Sequence, residues 1–203
     1  MVTLQSHKDA GALDPIDWDE VLTPPAELAA ATRELVPATP ALSAADLEQV
    51  AIAIRDRPEL WEPLIVVDAH RRRYRLLYEE ERTDIWVLCW MPGQSTGFHD
   101  HDRSDVGIAI ARGMVIERQL RLPTGATALE LQLGDTRQGP AGYIHSVAHG
   151  AGGPAVSIHC YSPPLMKVGQ YRVDPEGVLR RDAEHGRREL VDETIARVAP
   201  ELV

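Results

Sequence analysis

The chain has 203 residues, 44% of them hydrophobic and 26% charged, with a formal net charge of -10. That length allows one domain with a sizeable core, and the acidic balance argues against non-specific binding to nucleic acid or to an anionic membrane surface. Two cysteines, Cys89 and Cys160, do not make a disulfide framework. With no membrane-length apolar stretch and no signal-like apolar core near the N-terminus, a cytoplasmic protein is expected.

Residues 1–22 are polar, without a sustained period, and read as a loose arm. Thr23 followed by Pro24 and Pro25 reads as a helix start, because Pro is tolerated in a first turn. Residues 26–36 are rich in Ala, Leu and Glu and helical; Pro37 and Pro40 end them. Ser43 is placed as an N-cap, with Asp46 adding negative charge to the first turn. Leu47, Val50, Ala51 and Ile54 keep helical spacing to about residue 57, and a short third piece runs through Glu59, Leu60 and Trp61. These segments read as a helical cap packed on a sheet.

From Leu64 the character changes. The β-branched Ile65, Val66 and Val67 predict a first strand, and residues 71–78 a second. A charged turn over 79–84 leads to the apolar strand 85–90, closed by Met91, Pro92 and Gly93. Short strands then recur over 106–111, 114–122, 127–133, 143–148 and 155–161, separated by Gly- and Pro-rich turns. That rhythm predicts a barrel or sandwich. A further hairpin takes in 170–173 and 177–180, and the tail beyond residue 187 has helical character.

Within 93–113 stand His99 and His101, two apart. On a strand, residues two apart share a face, so both imidazoles point one way and Asp100 the other. That arrangement suits a first-row transition metal. Taken alone it is also compatible with two surface histidines. A second stretch decides between these readings. Gly93, His99, His101, Val106 and Gly113, followed by Gly134, Pro140, Gly142, His145 and His149, reproduce the spacing of both cupin signature motifs. The chain thus resembles the cupin superfamily. That resemblance implies a mainly β fold, a jelly-roll barrel over 63–185 holding one metal in its mouth, with the arm and helices of 1–62 packed on it in the same domain and a helical tail over 186–203.

Val106 takes the place where many cupins carry a glutamate ligand, and His149 replaces the usual Asn. The implied ligand set is then three neutral imidazoles, His99, His101 and His145. Such a set leaves up to three metal positions open, which suits a thiolate and O2 together. The run Ser157, His159, Tyr161 ahead of Ser162, Pro163 and Pro164 resembles the segment of type I cysteine dioxygenases that carries the same residues at alternate positions. The match covers about residues 60–170. It implies an iron(II) enzyme using O2 on a small carboxylated thiol, with L-cysteine as first candidate and 3-mercaptopropionate as second. His159, Tyr161 and Ser157 would form the catalytic hydrogen-bonded chain.

The resemblance also implies an arginine upstream as carboxylate clamp, because a guanidinium can make two parallel hydrogen bonds to a carboxylate. The expectation falls on Arg75, with Arg73 second. Some relatives join a cysteine to the tyrosine, but the matching position here is Val106. His149 either caps the end of its strand or reaches towards the site. His7, His70 and His185 are expected at the surface, Cys89, Trp86 and Trp90 in the core or barrel wall. Two rival readings are a metal-dependent cupin lyase or isomerase, which would usually keep a carboxylate ligand, and a ligand sensor, which would need an output module. The oligomeric state is left open, with a monomer as the default.

Overall fold

The computed structural model describes residues 17–121 and 124–185. The arm over 1–16, His7 and the tail over 186–203 lie outside them, as does the side chain of His185.

Four short helices precede the sheets: α1 (Trp18–Leu22), α2 (Ala26–Arg33), α3 (Ala44–Arg55) and α4 (Pro58–Trp61), followed by a 3-10 turn over Glu62–Leu64. α3 starts where its sequence says it should. The Ser43 hydroxyl accepts from the Asp46 N–H at 3.3 Å and the Asp46 carboxylate accepts from the Ser43 N–H at 2.9 Å, a reciprocal cap. Its apolar face, Leu47, Val50, Ala51 and Ile54, is fully buried. α1 departs from the expected loose arm. Asp17 caps it through the Glu20 N–H, and Val21 is 3% exposed against the barrel interior. A single turn is too short to show a period, so only its tertiary contact reveals it.

The expected strand at 65–67 does not form. Val67 is 51% exposed, and Asp68 turns the chain by accepting from the backbone N–H groups of His70 and Arg71. β-Branched residues favour a strand only where a neighbour pairs with them.

Eleven strands follow among the described residues: β1 (Arg73–Glu80), β2 (Thr83–Trp90), β3 (His99–Asp100), β4 (Asp105–Arg112), β5 (Met114–Arg121), β6 (Gly125–Gln132), β7 (Thr136–Gly139), β8 (His145–His149), β9 (Ala155–Ser162), β10 (Lys167–Val173) and β11 (Leu179–His185). They form two antiparallel sheets, in the orders β1-β2-β9-β4-β7 and β11-β10-β3-β8-β5-β6. The fold is mainly β, two facing sheets with helices added, as the cupin resemblance implied. β3 and β7 are not among the strands expected from the sequence; each is too short to show alternation.

The five-stranded sheet has two faces of different character. Ile85, Val87, Cys89, Ala109, Val156, Ile158 and Cys160 pack with α3 and α4 in one apolar cluster. Trp86, Trp90, Val106, Ile108, Ile110 and Tyr161 belong to a second cluster that also takes in Val115, Leu131 and Val147 of the six-stranded sheet. This second cluster is the barrel interior. Gly107 sets how closely the cap lies on the sheet. A Cβ there would stand 2.2 Å from the Leu47 carbonyl carbon, so α3 rests on bare backbone.

Candidate metal centre

β3 and β8 pair directly, His99 opposite His145. His101 follows two residues after His99, so alternation turns it to the same side. One ring nitrogen of each of the three imidazoles lies within 4.8 Å of the others, and all three residues are buried. The Nε2 atoms of His101 and His145 are 3.3 Å apart. Two nitrogens each bound to one metal at about 2.1 Å, at angles near tetrahedral or octahedral, would stand about 3.0–3.4 Å apart. The donor set and spacing therefore fit a first-row divalent metal. Burial drives His99 down to about 3, with the neighbouring His145 and Arg72 adding to it. His101 is held well below the usual imidazole range by burial, then by His145 and His99. His99 and His101 are thus neutral, as metal ligands must be.

The outer nitrogens of His99 and His145 are held from behind. His99 Nδ1 lies 3.1 Å from the Gly97 carbonyl, and His145 Nδ1 lies 2.9 Å from a Glu117 carboxylate oxygen. These contacts place the Nδ1 proton and leave Nε2 of each ring with its lone pair. Asp100 points out of the barrel, as alternation required. Arg181 reaches it with two N–H donors at 2.7 Å, and the Tyr171 hydroxyl donates at 2.7 Å. Burial opposes this carboxylate, but those donors and the Asp102 N–H hold it down at about 2. Gly169 makes the contact possible, since a Cβ there would stand 2.2 Å from Arg181 Nε.

β9 lies between β2 and β4, and brings Ser157, His159 and Tyr161 to the inner face. Trp90 Nε1 donates to Ser157 Oγ at 2.9 Å, Ser157 Oγ lies 2.9 Å from His159 Nε2, and His159 Nδ1 lies 3.1 Å from the Tyr161 hydroxyl. The line ends with the Tyr161 ring 4.9 Å from that of His101, centre to centre. Burial pushes the Tyr161 phenol far above its usual range and keeps His159 well below its own, so both stay neutral near pH 7. Val106 stands opposite Tyr161 across β4 and β9, wholly buried.

The structure does not bring Arg73 or Arg75 to the three imidazoles. In the β1–β2 register Arg73 stands opposite Cys89 and Arg75 opposite Val87, both on the helix-facing side. Arg75 pairs with Glu20 of α1, and Arg73 lies 3.6 Å from Asp68. Arg72 is one residue out of step with both and faces inwards. Its guanidinium lies 5.1 Å from the centre of the Trp90 ring, and its charge depresses His99 and His159 and eases the Tyr161 phenol downwards. Counting along the chain could not choose among neighbouring arginines, because a one-residue shift reverses every face. His149 plays a structural part, with its Nε2 2.9 Å from the Gly153 carbonyl, closing the turn before β9.

Glu117 is a site residue that the sequence motifs do not contain. It sits at an inward position of β5, 3% exposed, between the buried Val115 and the half-buried Gln119. A carboxylate at an inward position of an amphipathic strand was the available signal.

A model of the cysteine dioxygenase type I family matches residues 20–173. The chain is similar to cysteine dioxygenase type 1 of Danio rerio, 25% identical over 134 residues that cover 60% of this chain and 66% of that one. The same protein of Rattus norvegicus is 25% identical over 132 residues, covering 59% and 65%. The match therefore spans just under two thirds of these relatives' length. Among solved structures, a Thermus thermophilus protein covers 51% of this chain and 93% of its own, with TM-score 0.46 and 22% identity. A cupin superfamily protein of Desulfitobacterium hafniense covers 50% and 86%, with TM-score 0.44 and 18% identity. The chain belongs to the cysteine dioxygenase type I family.

Proposed function

We propose that this chain is an iron(II)-dependent thiol dioxygenase acting on a small carboxylated thiol, L-cysteine first and 3-mercaptopropionate second. The observation that carries this reading is the hydrogen-bonded line from Trp90 through Ser157 and His159 to Tyr161, ending beside a buried three-imidazole centre. His99, His101 and His145 would hold the iron, which when bound supplies a Lewis-acidic, redox-active centre with room for a thiolate and O2 side by side. The overall change is RSH + O2 → RSO2H: two S–O bonds form, the O–O bond breaks, sulfur loses four electrons and the two oxygens gain them.

The protein's own residues orient and charge the site. Trp90 donates to Ser157 Oγ, which leaves the single Ser157 proton for His159 Nε2. His159 then carries its proton on Nδ1 and donates to the Tyr161 oxygen. The Tyr161 O–H is left to point at the reacting atoms and hydrogen-bond a developing oxygen. Arg72, rather than Arg73 or Arg75, faces the interior and would take the substrate carboxylate. The apolar wall of Val106, Ile108 and Ile110 excludes water around the sulfur.

The test is anaerobic loading with Fe(II), followed by addition of O2 with L-cysteine, 3-mercaptopropionate and a thiol without a carboxylate. One O2 should disappear per sulfinate formed from a carboxylated thiol. No oxygen uptake with any small thiol would sink the reading. Turnover of the uncarboxylated thiol with an equal KM would remove Arg72 from it.

A further inference from the structure

Behind the three imidazoles lies a carboxylate that the reaction above does not use. Glu117 accepts from three directions: His145 Nδ1 at 2.9 Å, Arg137 Nε at 3.0 Å and the Tyr143 hydroxyl at 3.1 Å. The Arg137 guanidinium keeps its charge at any ordinary pH, so its ion pair with the buried Glu117 favours the carboxylate form. With donors on both oxygens, it has little freedom to move. The same three donors come from different strands and loops, so the carboxylate is fixed by the barrel and not by its own strand alone.

The three imidazoles are unequal in this respect. His145 is backed by a full negative charge, His99 by the neutral carbonyl of Gly97, and His101 Nδ1 has no hydrogen-bond partner among the described residues. At the same time Val106 stands where the cupin resemblance would place a carboxylate ligand.

Resting on the iron-site reading above, we propose that Glu117 is the positioning residue of the metal centre. It holds the His145 ring with its proton on Nδ1 and its lone pair on Nε2. In this way it lends the metal a share of negative charge through the imidazole while leaving the coordination positions open. A carboxylate at the Val106 position would supply the charge and consume a position. Tyr143 and Arg137 fix Glu117 in turn, and Tyr143 packs its ring 5.0 Å from that of His145.

The test uses the full chain stripped of metal and titrated with Co(II), whose visible absorption reports the ligand field directly. Glu117→Gln keeps the shape and one acceptor oxygen and removes the charge. It should weaken Co(II) binding about 10–100-fold and shift the absorption band. Its metal-free melting temperature should stay near that of the wild type. Tyr143→Phe keeps the charge and should leave affinity within about threefold of wild type. Wild-type affinity and an unshifted band in Glu117→Gln would overturn the proposal. So would an affinity loss that merely follows a fall in metal-free stability. A wild-type chain that takes up no Co(II) would instead bring down the iron-site reading itself, so the two failures are distinguishable.

Discussion

Strand β9 shows two faces to two different environments. Val156, Ile158 and Cys160 meet the helices, and Ser157, His159 and Tyr161 face the barrel interior in a line that ends beside His101, yet all six are buried. On the helix side each apolar side chain taken from water stabilises by about 1.5–3 kcal/mol. On the inner side the hydroxyls and the imidazole lose water and regain hydrogen bonds, a net gain of only about 1 kcal/mol each. The comparison teaches that depth does not separate core from site. What separates them is whether buried polar groups bond in a line that leads somewhere. The apolar face carries the stability that lets the polar face be arranged for chemistry.

The largest break in that comparison comes from the centre itself. His145→Ala should abolish metal uptake and bring oxygen consumption to background, read by metal analysis and an oxygen electrode. Next, Ile158→Ala and Tyr161→Phe should split the two faces. The first should cost about 2–5 kcal/mol of stability and keep the turnover of the folded fraction. The second should lower kcat about 100-fold while costing about 1 kcal/mol. Denaturant titration beside steady-state kinetics measures both, and equal stability losses would erase the distinction.

A smaller effect tests the inward arginine. Arg72→Gln should raise the KM for a carboxylated thiol about 10–100-fold, the worth of hydrogen bonds to a charged group. Arg75→Gln, on the helix side, should leave KM unchanged and cost at most about 1 kcal/mol of stability. The reverse pattern would return the clamp to Arg75.

The gentlest probe is pH. In the metal-free protein His99 is depressed from 6.5 to about 3 and His159 is also lowered, both first by burial. The unfolded chain therefore takes up protons that the folded chain refuses. Stability should decline as pH falls from about 6.5 towards 3. Asp100, lowered from 3.8 to about 2, adds a loss as pH falls through that lower range. Cys89 and Cys160 on the helix side have thiols pushed upwards by burial and stay uncharged throughout. The urea midpoint should thus drop on acidification, and His159→Gln should flatten part of the drop. An unchanged slope in that variant would show that His159 is not the group titrating.

Local rules made much of this legible before any coordinates. The Ser43 cap, the apolar spacing of α3 and the alternation of β2 and β9 are one-dimensional signals, because a helix or strand repeats its own geometry. The pairing of His99 and His101 on one face and of Ser157, His159 and Tyr161 on another followed from the same period of two. Glu117 could also have been found there, as a charge at an inward position.

Spacing and alternation in the sequence determined the mainly β class and the shared faces of His99 with His101 and of Ser157, His159 and Tyr161, while the expectation of His145 as the third imidazole came from the resemblance to the cupin motifs. Tertiary structure alone decided which arginine faces the interior. Register across β1 and β2 fixes that, and a shift of one residue exchanges Arg72 for its neighbours. It alone placed Glu117 behind His145, since their meeting depends on β5 pairing with β8 and not on their separation of 28 positions along the chain. It also turned 65–67 out of the sheet and set α1 against the barrel, because whether a short segment finds a partner is settled by what lies across from it.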